Sequence, residues 1–207
     1  GAGIWAETID RVHQACPDTE VEVLIPDFCG DWDALQKVID AGPEVINHNL
    51  ETVRRLYPAV RPQAKYDRSI ELLRRVKEQG GIAKTGIMVG IGETDAEVIE
   101  LIGELIEGTR VGAAENAASV PDGGEGPAGS PGEGRSAHCD ILTLGQYLQP
   151  SAGHLPVHRF VEPAAFERFK AEGEAMGLTH VESGPMVRSS YHADRQATAA
   201  RSASGSQ

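Results

Sequence analysis

Short runs rich in β-branched residues alternate with longer stretches of helical period along this 207-residue chain. That alternation narrows the fold more than any other feature. Apolar runs stand at 21–25, 45–46, 84–89, 141–144 and 180–181, while apolar residues recur at three- and four-residue spacing over 4–16, 31–39, 66–78, 94–106 and 163–176. Strands separated by helices of ten or more residues build parallel βαβ units. Four such strands precede the last of these helices, and both an open doubly wound sheet and an arc of a barrel accommodate them. The helix boundaries carry their own signals. Asp31 is placed to cap one helix, and Thr94 with Glu97 three residues on forms a capping box for another. Gly42-Pro43 and Gly80-Gly81 stop helices, and Pro163 suits a first turn.

Composition divides the chain further. Residues 108–135 contain many Gly, Pro, Ala and Ser and almost no bulky apolar side chain, too little to offset ordering entropy. The expected organisation is therefore one domain over 1–195, interrupted by a disordered insertion at 108–136, and a disordered tail over 196–207. A net charge of −12 repels phosphate backbones, so nucleic acid is not an expected partner. No stretch reaches the roughly 18 apolar residues of a membrane span, and the first residues have neither the basic start nor the apolar run of a secretion signal. The chain opens abruptly on a helical pattern, from which an upstream segment is expected.

Three cysteines, Cys16, Cys29 and Cys139, lie far apart and form no C-x-x-C group, so reduced thiols without a shared metal are expected. The informative polar residues instead follow the strands. Asp27, then Asn47, Asn49 and Glu51, then Gly90 to Glu93, then Gln146 each stand at a strand end, where parallel α/β folds bind ligands. If extended, Asn47, Asn49 and Glu51 face one side and suit a diol such as ribose; the same residues also suit turn chemistry and a helix cap. His48 points the other way, as a packed histidine. The glycines between 86 and 92 permit close approach to a flat ligand but lack the P-loop lysine. Arg188-Ser189-Ser190 lacks the G-x-S-x-G elbow of a hydrolase.

The stretches VEVLIPDF, INHNLETVRRLYPAVRP, KTGIMVGIGET, CDILTLGQYLQP and GPMVRSSYHAD, in that order, resemble the lipoyl synthases of the radical S-adenosylmethionine (SAM) superfamily. NHNLET alone is shared with biotin synthases, but RSSYHA is not. The resemblance implies a partial TIM-type (βα)6 barrel, represented here by about four βα units and a C-terminal helical extension. It implies insertion of two sulfur atoms at C6 and C8 of a protein-bound octanoyl-lysine. Two [4Fe-4S] clusters serve that chemistry: one cleaves SAM to a 5′-deoxyadenosyl radical, the other is consumed as sulfur donor. The implied partners are octanoylated lipoyl domains of 2-oxoacid dehydrogenase complexes or the glycine cleavage H protein, with ferredoxin or flavodoxin as electron donor, in a bacterial cytoplasm or a plastid.

Carried over residue by residue, Ser189 matches the serine ligand of the second cluster, with Ser190 as fallback, and Arg188 lies beside it as a catalytic candidate. Asn49 and Glu51 match positions expected to bind the SAM ribose or the neighbouring substrate, with Asn47 close by; Met88 to Gly90 match the adenine pocket, and Gln146 and Tyr147 close the last strand end. The cysteine groups that hold both clusters have no counterpart in these 207 residues, and the insertion is foreign to the family. On this reading the chain corresponds to the C-terminal two-thirds of the family and is inactive by itself. A half of a split enzyme and a non-catalytic remnant binding SAM or a lipoyl domain are the competing readings. An incomplete barrel wall also implies marginal stability.

Overall fold

The computed structural model describes residues 1–107 and 138–204. Five parallel strands form one sheet in the order β1-β2-β3-β4-β5: β1 (Glu22–Leu24), β2 (Val45–Asn47), β3 (Ile82–Val89), β4 (Ile141–Gln146) and β5 (His180–Ser183). Around them run α1 (Ala2–Ala15), α2 (Trp32–Asp40), the single turn α3 (Tyr57–Val60), α4 (Tyr66–Glu78), α5 (Asp95–Glu107), α6 (Pro163–Met176) and α7 (Ala193–Ser204). Strand order decides between the two architectures left open by periodicity. A doubly wound sheet reverses direction at a switch point, whereas this sheet adds each strand to the same side of the last. With right-handed crossovers, that order puts every connecting helix on one face, as in an arc of a (βα) barrel.

The core follows from this. One set of alternate strand residues, Val23, Ile46, Ala83, Ile87, Val89, Leu142, Leu144 and Val181, packs with Leu35, Leu73, Leu101, Ile102 and Phe169 from the helices. The other set faces the concave side and is mixed: Glu22, Asn47, Lys84, Gly86, Met88, Thr143, Gly145, Glu182. Lys84 is fully buried there, and its Nζ meets Glu22 Oε2 at 2.9 Å. A buried ammonium survives only with such a partner.

The caps form as their residues predict. Asp31 accepts a hydrogen bond from the Ala34 amide at 3.0 Å. Thr94 Oγ1 accepts from the Glu97 amide at 3.2 Å while Glu97 accepts from the Thr94 amide at 2.8 Å. The Arg55 guanidinium beside Glu97 holds that carboxyl down at about 2. Two expectations fare differently. The disordered insertion at 108–136 lies outside the described residues. The stretch after Arg195, expected to fray, is largely helical: α7 runs to Ser204 and buries Gln196, Ala197 and Ala200. Its Ala-rich composition favours helix, and its small residues allow close approach to β5 and β3.

Candidate functional site

The segment after β2 builds the site. His48 continues the ladder, its amide donating to Lys84 O at 3.0 Å. Thr85 then brackets Asn49: its Oγ1 donates to His48 O at 2.8 Å and accepts from the Leu50 amide at 3.2 Å. Glu51 rejoins β3, with its amide on Gly86 O and its carbonyl on the Met88 amide, both at 2.9 Å. It does so with φ 68°, a left-handed conformation that a side chain rarely adopts. Such strain persists where the surroundings over-determine it, commonly at a functional site.

The consequence is a cavity of about 200 Å³ at the C-terminal ends of the strands, floored by Gly86, Met88, Thr143 and Gly145 and walled by Asn49, Glu51, Gln146, Arg188 and Ser189. Its space depends on the two glycines. A Cβ on Gly86 would stand 2.6 Å from Thr143 Oγ1 and 2.9 Å from Asn49 Oδ1, and one on Gly145 would stand 2.3 Å from Val187 O. Asn49 Oδ1 is buried without a hydrogen-bond partner. Burial pushes the Glu51 carboxyl above the usual carboxylate range, against the pull of Arg61 and the Asn49 amide. An unpaired amide oxygen beside a carboxyl can engage two neighbouring hydroxyls.

Of the eight residues singled out in the sequence, Asn49, Glu51, Met88, Gln146, Arg188 and Ser189 line this one cavity. Asn47 and Gly90 do not. Asn47 stands lower on the concave face, its Nδ2 on Glu22 Oε1 at 3.0 Å. The one-sided array of Asn47, Asn49 and Glu51 assumed an extended chain, and the turn at Glu51 breaks it. Gly90 lies behind the cavity with φ 101°, where a Cβ would meet Gln146 Nε2 at 2.3 Å and Arg159 O at 2.4 Å. The polar atoms of Gln146 are spent on bracing: Nε2 donates to the Tyr147 and Arg159 carbonyls, and Oε1 accepts from the Val161 amide.

The glycine turn itself is not an anion cradle. The buried Glu93 carboxylate curls back onto the amides of Gly90, Ile91 and Gly92 at 2.6, 3.0 and 3.2 Å, filling the place a phosphate would take. Gly86 was among the glycines read as permitting close approach, whereas Thr143 and Gly145 escaped the sequence reading as cavity residues. Glycine in a strand interior, weakening unless something approaches closely, was the available signal for Gly145. The cysteines stay apart. Cys139 is buried ahead of β4, roughly 13 Å along that strand from Thr143 on the cavity floor. Cys16 caps α1 ahead of β1, and Cys29 is exposed after β1. Among the described residues no cluster of three or more His, Cys, Asp or Glu could hold a metal ion, and no helix is long and apolar enough to cross a membrane.

Comparison with known proteins agrees with this geometry. Residues 3–105 match the family model described as the radical SAM superfamily. The chain is 46% identical to a lipoyl synthase of Rubrobacter xylanophilus, over 97% of this chain and 54% of that protein. It is 48% identical to one of Symbiobacterium thermophilum, again over 97% and 54%. For one of Parabacteroides distasonis the identity is 44%, over 94% of this chain and 59% of that protein. The chain thus spans little more than half the length of the curated relatives it matches.

Proposed function

Because the chain belongs to the lipoyl synthase family of the radical SAM superfamily, we propose that its strand-end cavity binds the adenosyl part of S-adenosylmethionine. The observation that carries this reading is the convergence of Asn49 and Glu51 over the glycine floor of one cavity. Asn49 Oδ1 lacks a donor, and a ribose hydroxyl supplies one. Glu51 takes the neighbouring hydroxyl. Gly86 and Gly145 leave room for a ring, and Ile87 and Met88 give it apolar contact. SAM bound in this way supplies the precursor of the radical that removes hydrogen from an unactivated carbon.

The iron–sulfur clusters are a different matter. Ser189 lines the cavity and is the proposed cluster ligand on this chain, with Arg188 beside it. Thiolates do not join it, because Cys16 and Cys139 lie toward the opposite end of the strands and Cys29 is not among the residues lining the cavity. Among the described residues, the side chains present do not fit either [4Fe-4S] cluster. Insertion of sulfur at C6 and C8 of an octanoyl-lysine, on lipoyl domains or the H protein and with a ferredoxin or flavodoxin donor, is our proposal for the enzyme in which this chain works.

Calorimetric titration of the chain with 5′-deoxyadenosine tests the cavity. Saturable binding is expected, weakened about tenfold by Asn49→Ala or Glu51→Ala and by use of 2′,5′-dideoxyadenosine, each of which strands one hydroxyl contact. Binding that ignores all three changes would sink the assignment.

A further inference from the structure

Behind Asn49 and Glu51, on the helix side of the sheet, runs a single file of hydrogen bonds that no part of the proposed ligand contact uses. Arg61 Nη1 donates to Asn49 O at 2.5 Å and to Tyr57 Oη at 3.1 Å. Tyr57 Oη lies 2.8 Å from Ser69 Oγ, and Ser69 Oγ lies 2.8 Å from His48 Nε2. His48 Nδ1 ends the file 2.9 Å from Ile25 O. Tyr57, Ser69 and His48 are all buried, and the Arg61 guanidinium also sits 5.6 Å from the Tyr57 ring centroid.

The direction of every hydrogen in the file is fixed by its two ends. A guanidinium only donates, so Tyr57 Oη accepts from Arg61 and must give its own hydrogen to Ser69. A backbone carbonyl only accepts, so His48 carries its hydrogen on Nδ1 and presents a bare Nε2 to the Ser69 hydroxyl. Protonating His48 would make Ser69 Oγ accept from both neighbours and take away the acceptor of the Ser69 hydroxyl hydrogen in a buried place. The file therefore has one self-consistent state, with neutral His48. Burial, followed by the repulsion of Arg61 and Arg68 and opposed by Asp27 and the Ile25 carbonyl, holds the imidazole below its ordinary range.

We infer that this file, anchored by His48 and ending in Arg61, is a positioning device that fixes the Asn49 carbonyl and so holds Glu51 in its left-handed turn, setting the two ligand-binding side chains of the cavity. The inference rests on the adenosyl reading for its consequence, but not for its structure. Thr85 holds the His48 carbonyl and the Leu50 amide, and Arg61 holds the Asn49 carbonyl that lies between them. Without Arg61 that carbonyl is released, and the approach to the φ 68° residue is left to the Thr85 contact and to the two bonds of Glu51 to β3.

The test uses two conservative breaks in the file, Tyr57→Phe and Arg61→Met, with Glu51→Ala as the cavity control. Amide hydrogen exchange of the ligand-free chain is read at Leu50, Glu51 and Met88, and 5′-deoxyadenosine affinity is read by calorimetry. Both breaks are expected to speed exchange at Glu51 and Met88 about tenfold while the α4 and β4 amides keep their protection. Both are expected to weaken the nucleoside about tenfold, and the double variant to be no worse than Arg61→Met, as for two links of one chain. Arg61→Lys, which can serve only one of the two acceptors well, falls between. Nitrogen chemical shifts of His48 are expected to report the neutral Nδ1–H form at pH 6. Unchanged exchange at Glu51 in both breaks overturns the inference, as does additivity of the two. If Glu51→Ala leaves the nucleoside affinity intact, the adenosyl reading fails instead, and the positioning device stands or falls on the exchange data.

Discussion

At the scale of single residues, the site joins a strained backbone to a carboxyl that resists ionisation. Glu51 holds φ 68° and loses solvent, and burial raises its carboxyl above the unfolded value near 4.5, with Arg61 and Asn49 pulling down. A raised acid is favoured protonated in the fold. Its contribution to stability is therefore complete below pH about 4.5 and fades as pH rises through the folded value. Gln copies the shape and the Asn49 contact and never ionises. Glu51→Gln should thus melt with the parent at pH 4.5 but a few degrees above it at pH 8, at the expense of nucleoside affinity. A variant that melts below the parent at pH 8 would mean that the Arg61 attraction outweighs the cost of burial. His48 runs the opposite way: lowered in the fold, it contributes fully above pH about 6.5 and less as pH falls.

At the scale of elements, the parts whose period and caps are local were legible. The capping box at Thr94, the cap at Asp31 and the proline at the start of α6 all act where the sequence puts them. What the sequence withheld was set by tertiary contacts. The turn at Glu51 depends on Gly86 and Met88 across the sheet, so the sequence alone left 47–51 open between an extended run and a turn. The Glu93 carboxylate fills the glycine turn, which no periodicity reveals. Likewise α7 looked like a tail because its residues are small and weakly apolar. Its Ala197 borders a cavity with Glu22, Glu44 and Val45, and Arg201 pairs with Glu20, so the helix spans the N-terminal ends of β1 and β2. Ala197→Asp puts a further negative charge among those carboxylates in a nearly closed place. It is expected to cost about 2 kcal/mol and to open α7 to limited proteolysis, whereas Ala197→Ser costs far less. Equal proteolysis of Ala197→Asp and the parent would show that α7 is not held by this face.

At the scale of the whole molecule, the arc places its thiols and its ligand cavity at different ends. In parallel strands one end collects every loop that can share a ligand, and here Asn49, Glu51, Arg188 and Ser189 stand at it. Cys139 is sealed ahead of β4 with its Sγ against the Ala83 and Ile141 carbonyls, and burial drives its thiol well above the ordinary range. Thiolate, not thiol, ligates iron, so this residue is unsuited to a cluster on both position and ionisation. Cys16 stands beyond the N-terminal end of β1. Among the described residues Cys29 and Ser189 are the candidate ligands toward these strand ends, and two ligands do not hold four irons. Anaerobic reconstitution with iron and sulfide, followed by desalting and metal analysis, is expected to leave well under one iron per chain and no broad charge-transfer absorption between 350 and 450 nm. Retention of about four irons per chain, lost together in Cys29→Ser and Ser189→Ala, would require Cys16 or Cys139 to reach the cavity. That movement would invert β4 or unwind α1, and the sheet register described here would then be wrong.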